Sequence, residues 1–281
     1  MTWLLGATSS FAAEGGHHVL PLDAQPHFLW FTNSTFMVWI AVGLIVLFCQ
    51  LATRKVSLIP SGFQNFAEWL IESLYNFLGG LLGAHLVKRT FWFLGSIFFF
   101  ILVTNWLGLI PGVGTVGRYD DHGHLIPFLR GGNADLNMTS AMALTFAVLW
   151  FYWALTENGA KGFFAHIFAP KGDFKGVMML LMIPIFFVVG ILEVVSIAVR
   201  PVALSFRLFG NIYGGEQTLE ALMGLIPLKL QPFLSWLPAL PFYFMELLVG
   251  AVQALVFTLL CAIFIKLICD HGDEHHDEAH H

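Results

Sequence analysis

Residues Val177 to Met223 form one apolar stretch that nevertheless carries Glu193, Arg200, Arg207 and Glu216. An ionisable group at the middle of a membrane helix costs about 2.5–3.5 kcal/mol on insertion scales, so a stretch holding several is using them. The stretch is also too long to stand upright in a bilayer. At about 1.5 Å per residue it would run about 70 Å, against a hydrocarbon core of about 30 Å. It must tilt strongly, bend near Pro184 or Pro201, or divide in two. One long tilted helix is the reading in which its polar spacing forms a single surface. A seven-residue step on a helix returns to the same face with about 20° of drift. Glu193, Arg200, Arg207 and Gly214, spaced by seven, therefore make one stripe. Asn211, four residues past Arg207, borders that stripe. Glu216, nine past Arg207, projects from roughly the opposite face.

The rest of the chain is of the same kind. Charged residues make up 11% of it and hydrophobic ones 57%, with a mean hydropathy of +0.76. A soluble domain carries about 25% charged residues, so this is a polytopic membrane protein. Abundant Phe and Trp suit lipid-facing surfaces and interfacial belts. Cys49, Cys261 and Cys269 lack CxxC spacing and read as small buried hydrophobes. The chain has no phosphate-binding loop, no GxGxxG and no Ser/His/Asp arrangement placed for nucleophilic chemistry. No catalytic residue, cofactor, metal site or nucleic-acid partner is expected.

The first span covers about residues 35–51, and Arg54 and Lys55 follow at once. Residues 58–84 are amphipathic, with Glu68 and Glu72 on one side and Phe63, Phe66, Leu70 and Phe77 elsewhere, which predicts an interfacial helix. Lys88 and Arg89 precede a second span at about 91–110, which ends at Pro111-Gly112. The loop up to Leu136 holds Asp120, Asp121, His122 and His124, with only Arg118 and Arg130 as cations. A third span at 137–155 is followed by Lys161, Lys171 and Lys175. Cations collect on the cytoplasmic side of membrane proteins. The N-terminus is therefore placed outside, the 52–90 loop inside, the 111–136 loop outside and the 158–176 loop inside. The stretch 177–223 crosses outward, a hairpin around Pro227–Pro241 turns it, and residues 242–268 return. The small residues Gly250, Ala251 and Ala254 are expected to bring this last helix against the long one.

The predicted fold is all-α, with about five membrane-crossing helices plus one interfacial amphipathic helix. It reads as a single membrane domain over 1–281: an outer segment at 1–34, a membrane region at 35–268, and a cytoplasmic tail at 269–281. Met1–Glu14 looks like a short signal peptide ending at Ala12-Ala13, though it lacks a basic start; cleavage is left open. His17, His18 and His27 read as a solvated lead-in. The tail HGDEHHDEAHH is dense in potential metal ligands, but such tails are usually solvated.

The run from Arg207 to Glu216, RLFGNIYGGE, resembles the signature of subunit a of F-type ATP synthases, the membrane stator facing the rotating c-ring. The resemblance extends to Leu192, Glu193, Ser196 and Pro201, to Ala134–Thr139, and to Gln253. It also takes in Gly16-His17-His18 and Pro60–Glu72, so it covers almost the whole chain. It implies two long tilted antiparallel helices against the c-ring, and as partners the c-ring, the subunit b stalk, the rest of the synthase and the lipid bilayer. It implies a bacterial inner-membrane location and a non-catalytic, proton-translocating role. Arg207 falls on the family's essential arginine. Asn211, Glu216 and Gln253 fall on polar positions of the outer proton half-channel, Glu193 matches a carboxylate of the inner one, and Ser196 is a further candidate for proton translocation. Many bacterial members carry His seven residues before the glutamine; here that position is Glu246. Two neighbouring carboxylates titrate as a coupled pair and can hold one proton between them.

The family's chemistry explains these residue types. A c-ring carboxylate must lose a proton on one side and regain one after rotation. A fixed cation between two half-channels blocks direct leakage and favours the ionised carboxylate as it passes. Arginine suits this because it cannot deprotonate in a protein, whereas a desolvated lysine can. Arg200 has a structural alternative, an ion pair with Glu193 one heptad away. The competing function is a secondary ion transporter, but such folds show paired repeats with broken helices in both halves. This chain has one charged segment without a counterpart. A membrane metalloenzyme built on the tail would need ligands held on rigid elements.

Overall fold

The computed structural model describes residues 26–28, 31–54, 56–110, 113, 117–119, 125–127, 129–168, 177–224 and 236–269. The signal-like start, His17 and His18, the loop residues Asp120–His124, Lys171, Lys175, residues 227–235 of the hairpin and the His-rich tail from 270 lie outside the described residues. Six α-helices are described: α1 (Asn33–Thr53), α2 (Phe63–Leu82), α3 (Ala84–Gly108), α4 (Leu136–Phe168), α5 (Val177–Gly224) and α6 (Trp236–Cys269). Two small antiparallel ribbons accompany them, β1 (Pro26–Phe28) with β2 (Phe31–Thr32), and β3 (Gly117–Tyr119) with β4 (Leu125–Pro127). The protein is thus helical, as expected, with two brief ribbons outside the helices that the sequence reading did not include. Among the described residues, five helices are long and apolar enough to cross a membrane: α1, α3, the first part of α4, α5 from Pro184, and α6.

Several boundaries differ from those expected, each for a local reason. Thr32 caps α1, its hydroxyl accepting from the Thr35 amide at 3.2 Å. In α2 the residues Ala67, Leu74, Leu78 and Leu82 are buried, while Phe66 and Trp69 face outward. Gly83 separates α2 from α3 with φ +82, a conformation open to glycine at little cost. Helix α3 therefore starts before Lys88 and Arg89 rather than after them, and Arg89 reaches Glu157 and Thr156 of α4. Helix α4 runs past the expected end at Leu155, broken at Gly159 (φ 67, ψ 161). Helix α5 is one continuous helix of 48 residues through Pro184 and Pro201. At about 1.5 Å per residue it spans about 72 Å. Helix α6 begins at Trp236, ahead of Phe242, and runs through Pro241.

The helices contribute to two compact units. The first takes its described residues up to Asn65, then Phe98–Met138 and Leu208–Leu255. Its core holds Met37, Ala41 and Leu107 with Ile40, Val103 and Leu129 against them. Polar clasps join its elements. Ser34 donates to Asp135 at 2.8 Å, and the same carboxylate accepts the Asn137 amide at 2.9 Å at the start of α4. Asn105 on α3 donates to the Gly250 carbonyl on α6 at 3.0 Å and accepts from Asn133 at 2.6 Å. Trp106 donates to the Leu247 carbonyl at 3.1 Å. Gly250 lies closest to Asn105 and Trp106, so its missing side chain admits α3; this corrects the expectation that it receives the long helix.

The second unit contains Phe66–Ile97, Thr139–Arg207 and the described residues from Val256. Aromatic rings fill it. Phe93 stacks on Phe146 and meets Trp153 edge-on, with centroids at 6.4 and 6.0 Å. Trp150 donates to the Phe264 carbonyl at 2.8 Å. Ser205 on α5 lies 3.2 Å from the Thr139 hydroxyl and 3.0 Å from that of Ser140. Hydroxyls placed in hydrocarbon need such partners.

The backbone at Gly159 lies in a region that is essentially glycine-only and costs other residues about 1–3 kcal/mol. No atom lies within 4 Å of a β-carbon added there, so strain alone is tested. Gly159→Ala is expected to lower the unfolding temperature of the purified chain in detergent by several degrees, at about 2–4 °C per kcal/mol. An unchanged midpoint in a thermal melt contradicts that backbone conformation.

Candidate functional site

The polar residues of α5 and α6 fall into two groups, one in each unit. In the first unit, Asn211 donates its side-chain amide to Oε1 of Gln253 at 2.7 Å, tying α5 to α6. Gln253 and Glu246 stand seven apart on α6, and both are buried. Glu246 seats against Gly215: a β-carbon added to that glycine would lie 2.4–2.5 Å from its carboxyl atoms. Only glycine leaves room there, because the carboxylate occupies the place of a side chain. Among the described residues Glu246 forms no ion pair.

Glu216, the residue after Gly215, faces another way. Its Oε2 lies 3.7 Å from Nε of Arg130, whose side chain is 1% exposed. Its Oε1 crowds the backbone at Gly131, where a β-carbon would approach to 2.5 Å. The Arg130 guanidinium also stands 5.8 Å from the centroid of the Tyr213 ring. A loop arginine and a glycine backbone thus face one carboxylate, and the Tyr213 ring stands by that arginine. Breaking a buried pair of this kind by removing one partner costs about 3–5 kcal/mol, because a charge is left behind.

In the second unit, an open groove of about 410 Å³ is lined by Ser196, Arg200, Leu204, Arg207, Leu260 and Phe264 among others. Arg200 lies over the Phe264 ring at 4.8 Å. No salt bridge joins it to Glu193 among the described residues, although Glu193 still attracts it across a longer distance, and the Phe264 ring adds a cation–π contact. Glu193 is half-buried, three residues before Ser196. Arg207 is exposed, and no carboxylate among the described residues pairs with it. Around it Val195, Val199, Val202 and Phe206 are each more than half exposed. An apolar face that presents an arginine is costly to leave against lipid.

The structure therefore brings Asn211 to Gln253, sets Glu246 beside the residue preceding Glu216, and places Ser196 and Arg207 on one groove. Asn211 turns to Gln253 on the last helix, while Glu216 turns to the loop arginine Arg130 rather than toward that helix as expected from the spacing. Sequence reasoning missed Arg130, counting it only as a loop cation. The available signal was its isolation, one of two cations in the 111–136 loop. It also missed Gly131, Gly215 and Asn105, whose roles depend on what packs against them.

Comparison with known proteins gives a consistent answer. Residues 35–266 match the family model described as ATP synthase A chain. The chain is similar to the ATP synthase subunit a of Solidesulfovibrio magneticus, at 31% identity over 85% of each chain. It is 33% identical to that of Anaeromyxobacter dehalogenans over 90% of this chain and 61% of the relative. It is 30% identical to that of Desulforamulus reducens over 92% of this chain and 85% of the relative.

Adjacent glycines test the seating of Glu246. A β-carbon at Gly214 meets nothing within 4 Å, whereas one at Gly215 falls on the carboxylate. Alanine replacing glycine inside a helix gains about 0.5–1 kcal/mol when there is room. Gly214→Ala is expected to hold or raise the unfolding temperature in detergent, and Gly215→Ala to fall below it by a few degrees. Identical melts for the two variants contradict the position of Glu246.

Proposed function

The chain belongs to the ATP synthase A chain family and is a multi-pass membrane protein; from that premise we propose that it is the non-catalytic, proton-translocating stator subunit of an F-type ATP synthase. It works in a bacterial inner membrane with its N-terminus outside and its C-terminus in the cytoplasm. Its partners are the c-ring, the subunit b stalk and the rest of the synthase.

The observation that carries this reading is Arg207, a never-neutral cation exposed on an apolar helix face with no carboxylate partner among the described residues. A carboxylate passing on the c-ring supplies that partner. The charge attracts the ionised form and gives it no reason to leave until it can be protonated. The outer path uses Glu216, Glu246, Gln253 and Asn211, with the Asn211–Gln253 contact as a polar step between α5 and α6. The inner path uses Glu193, Ser196 and the groove that Ser196 shares with Arg207. Each proton crossing a potential of 100 mV releases about 2.3 kcal/mol, which the offset of the two paths converts to rotation.

Arg207→Ala is expected to leave the assembled complex, recovered with its proteolipid ring, but to cut ATP-driven proton pumping at least about a hundredfold, or about 2.7 kcal/mol of barrier. Acidification of inverted vesicles measures it; an assembled variant pumping near the wild-type rate removes Arg207 from this role. Glu246→His restores a titratable group at that position and is expected to keep pumping within about threefold, whereas Glu216→Gln with Glu246→Gln is expected to be near background. Passive and ATP-driven flux in these variants decides it, and a fully active double variant takes both carboxylates off the path.

A further inference from the structure

The two carboxylates of the outer path are held in different ways. Both oxygens of Glu216 are directed at one short segment, Oε2 at Arg130 and Oε1 at the Gly131 backbone. Arg130 is almost fully buried, and a guanidinium cannot shed its charge. Were Glu216 to take up a proton, a buried permanent cation would lose its carboxylate. Glu246 carries no such obligation: it is buried on α6, ion-paired to nothing among the described residues, and seven residues from Gln253 on the same helical face. Its neighbour across the interface is a glycine backbone that leaves the carboxyl group its place.

We infer that Arg130 is a positioning residue that holds Glu216 as its fixed counter-ion, so that of the two carboxylates Glu246 alone takes up and passes on protons. This rests on the proton-path reading above and divides its labour. The Glu246 carboxylate accepts a proton from outer water and becomes the neutral acid. It then returns that proton by way of the Gln253–Asn211 step to the carboxylate of the c-ring. Glu216 stays an anion throughout, and its charge cancels that of Arg130, so the outer path carries no net fixed cation to repel incoming protons. Arg207 is then an arginine left uncancelled for the c-ring carboxylate to meet.

The test uses the whole synthase in inverted vesicles, comparing Arg130→Gln, Glu216→Gln, Arg130→Gln with Glu216→Gln, and Glu246→Gln in the wild-type and paired backgrounds. Complex abundance is scored beside ATP-driven flux and its dependence on the pH of the outer face. Each single change at Arg130 or Glu216 is expected to cut flux per assembled complex about tenfold. The paired change is expected to restore it to within about threefold, and Glu246→Gln to be silent in either background. Among the described residues Arg130 faces Glu216, and the Glu246 carboxylate lies against the neighbouring Gly215. Arg130→Gln therefore frees Glu216 to titrate and is expected to move the pH profile, whereas a purely structural loss lowers its amplitude and leaves its midpoint. A paired variant that assembles but stays as inactive as Glu216→Gln overturns the proposal, because Glu216 is then itself a carrier. One that fails to assemble overturns it too, assigning the pair to packing. If Arg130→Gln alone does not assemble, recovery in the paired variant still decides. Arg207→Ala in the same vesicles separates the two levels: if it pumps, the proton-path reading fails, and if it is silent while the paired variant is dead, only the division of labour fails.

Discussion

A charge inside hydrocarbon must be answered, and much of this molecule is organised by how each charge finds its answer. Arg130 is answered within the chain by Glu216 and the face of Tyr213. Arg200 is answered by the Phe264 ring. Arg89 meets Glu157 on the neighbouring helix. Arg207 is the exception, exposed among apolar side chains with no carboxylate partner among the described residues. The same rule that makes a buried unpaired charge costly makes an exposed one informative, because a bilayer supplies no counter-ion and another protein can.

The uncharged polar groups follow a milder form of that rule. With no water in the bilayer core, a side-chain donor must reach a carbonyl or a hydroxyl, and helix association depends on close packing more than on hydrophobicity. Asn105, Trp106 and Trp150 each spend a donor on a carbonyl of α6. Each such bond fixes the rotation of one helix against another. The glycines matter where they let a polar group into the space a side chain would fill. Gly215 admits the Glu246 carboxylate, Gly131 admits Glu216, and Gly250 admits Asn105. Meanwhile Gly210 and Gly214, with nothing near them, lie on the same exposed side as Asn211. A face stripped of side chains in this way leaves room for a close neighbour.

The sequence by itself determined the helical class, the five spans in outline, an amphipathic helix within 58–84 and the long α5, because apolar runs and helical spacing are properties of adjacent residues. It also placed Arg207 and Asn211 on one face and Glu216 on another, since seven- and nine-residue steps define angles on a helix whatever it packs against. Only the tertiary structure decided what those faces meet. That Glu216 faces Arg130, that Gly250 receives α3, and that Arg200 lies over the Phe264 ring all depend on residues far apart in the chain. The extra helix beyond Leu155 and the early start of α3 were hidden because each hinges on one glycine whose backbone angle composition does not reveal. Local periodicity sets direction, and long-range packing in a medium without water sets partners.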